Sequence, residues 1–170
     1  LKWLRDEFSD CHFVFKVGNH EERWSHYIWQ HAPELSASSL MTLEAWLELQ
    51  ELDIALVDNQ RPVMCGKLAI FHGHELGGSS SPVSVAKGAF NKTNASIMVA
   101  HSHKTSTHCD LDVWHNVTAT WSVGCLCDLR PDYSILNKWN HGAAIVRVEK
   151  NGSVDVENFR IKDRKKIWVL

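Results

Sequence analysis

The amino-acid sequence predicts a layered α/β fold with mixed sheets and an antiparallel C-terminal hairpin, and three observations carry that prediction. Short apolar runs rich in β-branched and aromatic residues, Phe13-Val14-Phe15-Lys16-Val17, Leu68-Ala69-Ile70-Phe71 and Ile97-Met98-Val99-Ala100, read as buried strands. Stretches of helical periodicity separate them, and alternation of strand and helix favours parallel pairing. Beyond His103 the pattern changes to strands joined by the Lys150-Asn151-Gly152 turn, which favours an antiparallel tail.

Taken in order, residues 1–9 mix Leu, Trp and Phe with charges and read as the end of an amphipathic helix. Cys11 to Val17 is the first strand. After Gly18-Asn19-His20-Glu21 the pattern is helical through Arg23, Trp24, Tyr27 and Ile28 until Pro33 ends it. A second helix is expected from about Ser39 to Leu49, with Leu40, Leu43, Trp46 and Leu47 as the stripe that packs on the sheet. Trp24, Trp29 and Trp46 are expected on helix faces packed on the sheet, and Trp114 and Trp139 in the core or lining the mouth of a site. Leu52 to Val57 reads as an edge strand, Asp58 to Pro62 as a turn, and Lys67 to Phe71 as a strand. Gly77 to Ser81 reads as a loop, with Ser81-Pro82 starting a helix that runs to about Phe90. Val117 to Val123, Gly142 to Glu149 and Val154 to Ile161 are strands, and Lys162 to Lys166 is a solvated charged end.

The chain has 170 residues, 44% of them hydrophobic, with eight tryptophans. That suffices for one core, so residues 1–170 are expected to form a single domain. The net charge of −2 gives no basic field of the kind that draws proteins to nucleic acid or anionic lipid. No stretch approaches the roughly 20 apolar residues of a membrane span, and the charged start does not resemble a signal peptide, so a cytoplasmic protein without membrane partners is expected. The five cysteines are odd in number and scattered, and are expected to be reduced, mostly buried and without a metal role, Cys125 and Cys127 included.

Each of the three apolar runs stops at side chains able to bind a metal: Asn19-His20-Glu21, His72-Gly73-His74 and His101-Ser102-His103. In open α/β sheets ligands gather beyond the carboxyl ends of strands, so three such ends converging would make a site. Imidazole nitrogens with an Asn carbonyl suit Mn, Fe or Zn. Just past a strand end, the His-x-His pair can splay its rings toward two neighbouring ions.

Gly18-Asn19-His20-Glu21, Phe71-His72-Gly73-His74 and Ala100-His101-Ser102-His103, in that order, resemble the last three signature blocks of the calcineurin-like metallophosphoesterase family. The likeness continues into Gly124-Cys125-Leu126-Cys127-Asp128-Leu129 and Asn137-Lys138-Trp139-Asn140-His141-Gly142, similar to the closing segment of phage-type and bacterial members. The resemblance implies the C-terminal part of an αββα fold, a layered β-sandwich flanked by helices. It implies hydrolysis of phosphomonoesters or phosphodiesters, nucleotides and nucleic-acid ends among the candidate substrates, by water activated between two divalent ions. Asn19, His72 and His101 would ligate the second ion and His103 the first. His20 would face the substrate, stabilising charge on the phosphoryl group or protonating the leaving oxygen. His74 is expected in a loop or supporting role, and Glu21 either holds an imidazole or the turn after Asn19, or caps the helix.

Two departures stand out. Ala100 replaces the usual Gly, which matters only if the backbone there needs positive φ. The family's Asp-x-His and Gly-Asp-x-x-Asp blocks have no match before Gly18. Asp10-Cys11-His12 lies too close to Asn19 and at the wrong end of its strand. With the Leu1 start, this leads to the expectation that the chain is the C-terminal portion of a longer phosphoesterase and binds metal weakly alone. The alternatives are an inactive scaffold, or a mononuclear zinc hydrolase using His72, His101 and His103.

Overall fold

Gly18 has extended backbone and donates its N–H to the Glu21 carboxylate at 3.0 Å, which starts a helix at Asn19. The computed structural model in which this is seen describes residues 1–77 and 84–168. The chain forms two compact units, Leu1–Val63 and Met64–Leu170.

In the first unit, α1 (Lys2–Glu7) leads to β1 (Phe13–Lys16), α2 (Asn19–His31), 3-10 turns at Pro33–Leu35 and Ser39–Met41, α3 (Leu43–Trp46) and β2 (Ile54–Val57). β1 and β2 pair in parallel, Phe13 opposite Ile54 and Lys16 opposite Val57. These elements follow the sequence pattern except over residues 39–49, where no continuous helix forms. Thr42 takes extended backbone and caps a four-residue helix through its hydroxyl, which accepts from the Ala45 N–H, and Glu48 is left-handed at φ 54°. That reversal buries Leu49 to 1% exposure, while Leu40 and Trp46 lie exposed rather than on the sheet. Trp29 is exposed too; Trp24 packs its ring 4.9 Å from that of Trp46 and donates to the Met41 carbonyl. The expected stripe fails because the local caps at Thr42 and Glu48 override its periodicity.

The second unit holds a five-stranded sheet of order β3-β4-β5-β7-β6, where β3 is Val63–Cys65, β4 Leu68–Phe71, β5 Ile97–Val99, β6 Ser106–Leu111 and β7 Val117–Ser122. The division between the units falls within β3. β4, β5 and β7 run parallel, and β6 returns antiparallel to β7. Between β4 and β5 runs α4 (Val85–Thr93), capped by the Ser84 hydroxyl accepting from Lys87 N–H and ended by Asn94 at φ 48°. The expected start at Ser81-Pro82 and most of the Gly77–Ser81 loop lie outside the described residues. Val85 and Ala89 of α4 pack on Ile97 and Val99, with Ala69, Phe71 and Leu76 around them.

A three-stranded antiparallel sheet follows, with β8 (Gly142–Val148), β9 (Val154–Lys162) and β10 (Lys165–Trp168) in the order β10-β9-β8. The first hairpin is the expected one. The charged run 162–166 is not a loose end: Asp163 and Arg164 both take positive φ, the conformation of a tight hairpin turn, and Lys166 reaches Glu157 at 2.8 Å and lies over the Phe159 ring. Buried Asn158 joins the two sheets, its amide N–H groups donating to the Ser106 and Ser122 carbonyls at 3.0 and 3.1 Å. Among the described residues no helix is long and apolar enough to cross a membrane.

Leu68, with 0% exposure, anchors β4. Leu68→Ala is expected to lower unfolding stability by about 2–5 kcal/mol in urea denaturation, from lost burial and the cavity left behind. Hydrogen bonds from Lys166 and Arg147 hold the Glu157 carboxyl below its ordinary range. Its stabilisation is therefore present above the ordinary Glu pKa and lost as pH falls through the lowered value. The stability gap between wild type and Glu157→Gln is expected to close in that acid window, and to shrink with added salt, when both are unfolded thermally across a pH series.

Candidate metal centre

β4 and β5 are neighbours, and their ladder runs one step past the sheet, the Ala100 N–H donating to the His72 carbonyl at 2.9 Å. Because the strands are parallel, the residues that follow them emerge at the same carboxyl edge. His72 Nε2 thus comes to 3.1 Å from His101 Nδ1. His74 joins them, its ring centroid 5.1 Å from that of His72 and 6.1 Å from that of His101.

The turn carrying His72 is held by Glu75, whose carboxylate accepts from the His72 N–H at 3.3 Å and the Gly73 N–H at 2.6 Å and lies 3.4 Å from His74 Nδ1. Gly73 has φ 118° and sits so close to His101 and Val99 that an added Cβ would lie 3.2 and 3.3 Å from their Cβ atoms. A side chain there would strain the backbone and push the two histidine turns apart. A cavity of about 130 Å³ beside them is lined by His74, Leu76, Ala100 and His101 among others. The larger cleft, about 580 Å³, belongs to the first unit and is lined by residues such as Glu21, His26 and Asn59.

Ala100 is not among the positive-φ residues, so the Gly-to-Ala departure costs nothing there. The left-handed residue is His103, at φ 55°, a conformation costing on the order of 1 kcal/mol outside glycine. This turn sends His103 elsewhere than His101: its ring stands edge-on to Trp139 at 4.3 Å, and its Nδ1 is 3.7 Å from Cys127 Sγ. His103, Cys125 and Cys127 place their ligand atoms within 4.8 Å of one another. Cys127 is exposed and Cys125 half-buried, and Cys11 and Cys109 are exposed too, so the expectation of mostly buried cysteines is corrected. Cys125 sits at an isolated bridge to His141 and the chain bends after it, which brings the Cys127 thiol to His103. Burial, and then the neighbouring Cys127 thiol, push the Cys125 thiol up to about 11. Trp139 lines this cluster rather than the core, and Trp114 is exposed.

Asn140 fixes the arrangement. Its backbone N–H donates to the His103 carbonyl at 2.9 Å and its own carbonyl accepts from the Cys125 N–H at 3.0 Å. Its side chain accepts from the Thr105 N–H at 2.9 Å and donates to Thr105 Oγ1 and the His141 carbonyl. A Cβ on Gly124 would fall 2.5 Å from the Asn140 carbonyl oxygen, so only glycine lets the strands approach this closely.

Of the residues singled out in the sequence, the structure therefore brings His72 and His101 together with His74, and turns His103 to the thiols. Asn19 and His20 stand at the first turn of α2, in the first unit, and Glu21 caps that helix. No family model, curated protein or solved structure matches the chain.

Asn140→Ala strips the buried Thr105 N–H of its acceptor. A loss of about 1–3 kcal/mol in urea unfolding is expected.

Proposed function

We propose that the chain carries a divalent-metal centre of a phosphoester hydrolase, and that His72 and His101 are its core. The observation that carries this reading is the 3.1 Å approach of His72 Nε2 to His101 Nδ1 at adjoining strand ends. Two imidazole nitrogens sharing one tetrahedral cation at 2.0–2.1 Å stand about 3.3 Å apart, so the separation of the pair matches that of two ligands on one cation. The resemblance to the calcineurin-like family, with its layered β-sandwich and dinuclear site, supports the choice of phosphoester chemistry and a Mn, Fe or Zn ion.

Bound there, a divalent ion would supply Lewis-acid activation of water and neutralise charge on the phosphoryl oxygens. The protein's own part is to hold the two nitrogens aimed. Glu75 does this indirectly by fixing the backbone of the His72 turn, and Gly73 by letting that turn lie against His101. His74, with its Nδ1 beside Glu75, is placed to steady the cluster rather than to lead it. On the resemblance, Asn19 would add an oxygen ligand and His20 would offer a proton to the leaving oxygen. These 170 residues hold no Gly-Asp-x-x-Asp block, and their one Asp-x-His, Asp10-Cys11-His12, precedes its strand rather than following it, so neutral donors leave the ion's charge largely uncompensated and binding weak.

Calorimetric titration with Mn²⁺, paired with hydrolysis of p-nitrophenyl phosphate and bis-p-nitrophenyl phosphate, tests the proposal. Weak Mn²⁺ binding and at most slow Mn²⁺-dependent turnover are expected of this chain, both falling by roughly 10²-fold or more in His72→Ala and His101→Ala, since changes merely beside metal ligands cost about 10–100-fold. Asn19→Ala and His20→Ala are expected to separate, the first weakening Mn²⁺ binding and the second lowering turnover alone. Unaltered Mn²⁺ binding in both His72→Ala and His101→Ala would refute the centre.

A further inference from the structure

We infer that His103, Cys125 and Cys127 form a second, thiophilic metal site that takes zinc by itself, independently of His72 and His101. Their donor atoms all lie within 4.8 Å of one another, and His103 Nδ1 is 3.7 Å from Cys127 Sγ. With Zn–S near 2.3 Å and Zn–N near 2.0–2.1 Å, a tetrahedral ion holds sulfur and nitrogen about 3.6 Å apart and its two sulfurs about 3.8 Å apart. The His103–Cys127 pair already has that separation, and the other two pairs lie within 4.8 Å.

Charge separates this site from the histidine pair. Two thiolates and one neutral imidazole cancel the charge of a divalent ion, whereas His72 and His101 cancel none of it. Binding releases two protons, one from each thiol, to solvent. Thiolates also select by softness, favouring zinc over manganese or magnesium.

The surroundings hold the donors in place. Trp139 blocks rotation of the His103 ring, and Asn140 binds the His103 carbonyl and the Cys125 N–H at once. His141 Nε2 lies 2.8 Å from the Cys127 carbonyl, tying down the backbone that carries the second thiol. Such supporting contacts are what keep a metal's ligands aimed. Three protein donors with Cys127 exposed leave a fourth position to solvent, the pattern of a zinc ion that can meet a ligand.

The test uses the reduced full chain, first loaded with Co²⁺ to look for thiolate-to-cobalt charge transfer in the near ultraviolet, then with Zn²⁺ to count bound ions after gel filtration. The His72→Ala/His101→Ala double variant is expected to keep the charge-transfer band and one zinc per chain. Cys125→Ser, Cys127→Ser and His103→Ala are expected to lose the zinc or bind it at least tenfold more weakly. Because a substituted chain can fail to fold, the unsubstituted chain is also alkylated with iodoacetamide with and without Zn²⁺ and mapped by mass spectrometry. Protection of Cys125 and Cys127 relative to Cys11 and Cys109 is expected. A wild-type cobalt spectrum without charge transfer, a band that survives both cysteine substitutions, or equal alkylation with and without zinc would each overturn the site. Loss of Mn²⁺ binding without loss of zinc, or the reverse, tells failure of the first centre from failure of this one.

Discussion

The second unit's chemistry rests on the backbone and amide of Asn140. In one residue it fills the hydrogen-bonding needs of the His103 carbonyl, the Cys125 N–H and the Thr105 N–H and hydroxyl. His103 and Thr105 lie between β5 and β6, Cys125 lies after β7, and Asn140 itself lies just before β8. None belongs to a common ladder with the others apart from the isolated bridge between Cys125 and His141. Buried amide groups left unpaired cost more than a made hydrogen bond returns, so a residue satisfying several at once constrains them jointly. Gly124 is the complement, since the same closeness leaves no room for a Cβ.

The parallel part of the fold was legible in the sequence because its strands read as short apolar runs, although only Ile97–Val99 is buried along its whole length. Phe13–Lys16, Leu68–Phe71 and Ile97–Val99 all appear where the pattern puts them. β6 was not legible: Ser106-Thr107-His108-Cys109-Asp110-Leu111 is an edge strand with half its residues exposed, and its polarity hides the pairing that β7 supplies. β10 was hidden the same way, because Lys165 and Lys166 owe their place to cross-strand partners such as Glu157 rather than to burial. The failed helix over 39–49 shows the opposite error, a good stripe undone by backbone reversals at Thr42 and Glu48.

The candidate site divides along similar lines. His72 and His101 could be paired from sequence because parallel neighbours deliver their carboxyl ends to one edge. The thiols could not, since that inference needs the path of the chain from Cys125 through Asn140 back to His103. Only the spacing of Cys125 and Cys127, which on a strand would set both on one face, was available, and a same-side pair gives no hint of what it faces.

A single turn separates the two groups of donors. His101 continues the direction of β5 and meets His72, whereas two residues later the left-handed His103 has swung its ring to Trp139 and the thiols. That conformation is disfavoured for a side-chain-bearing residue, and it is maintained by the Asn140 N–H on the His103 carbonyl and by the ring contact with Trp139. Nitrogen donors alone on one side of the turn and nitrogen with sulfur on the other differ in both charge and softness. If both proposed centres bind ions, one segment, Ala100 to His103, would present two coordination environments that sort ions by kind rather than compete for the same one.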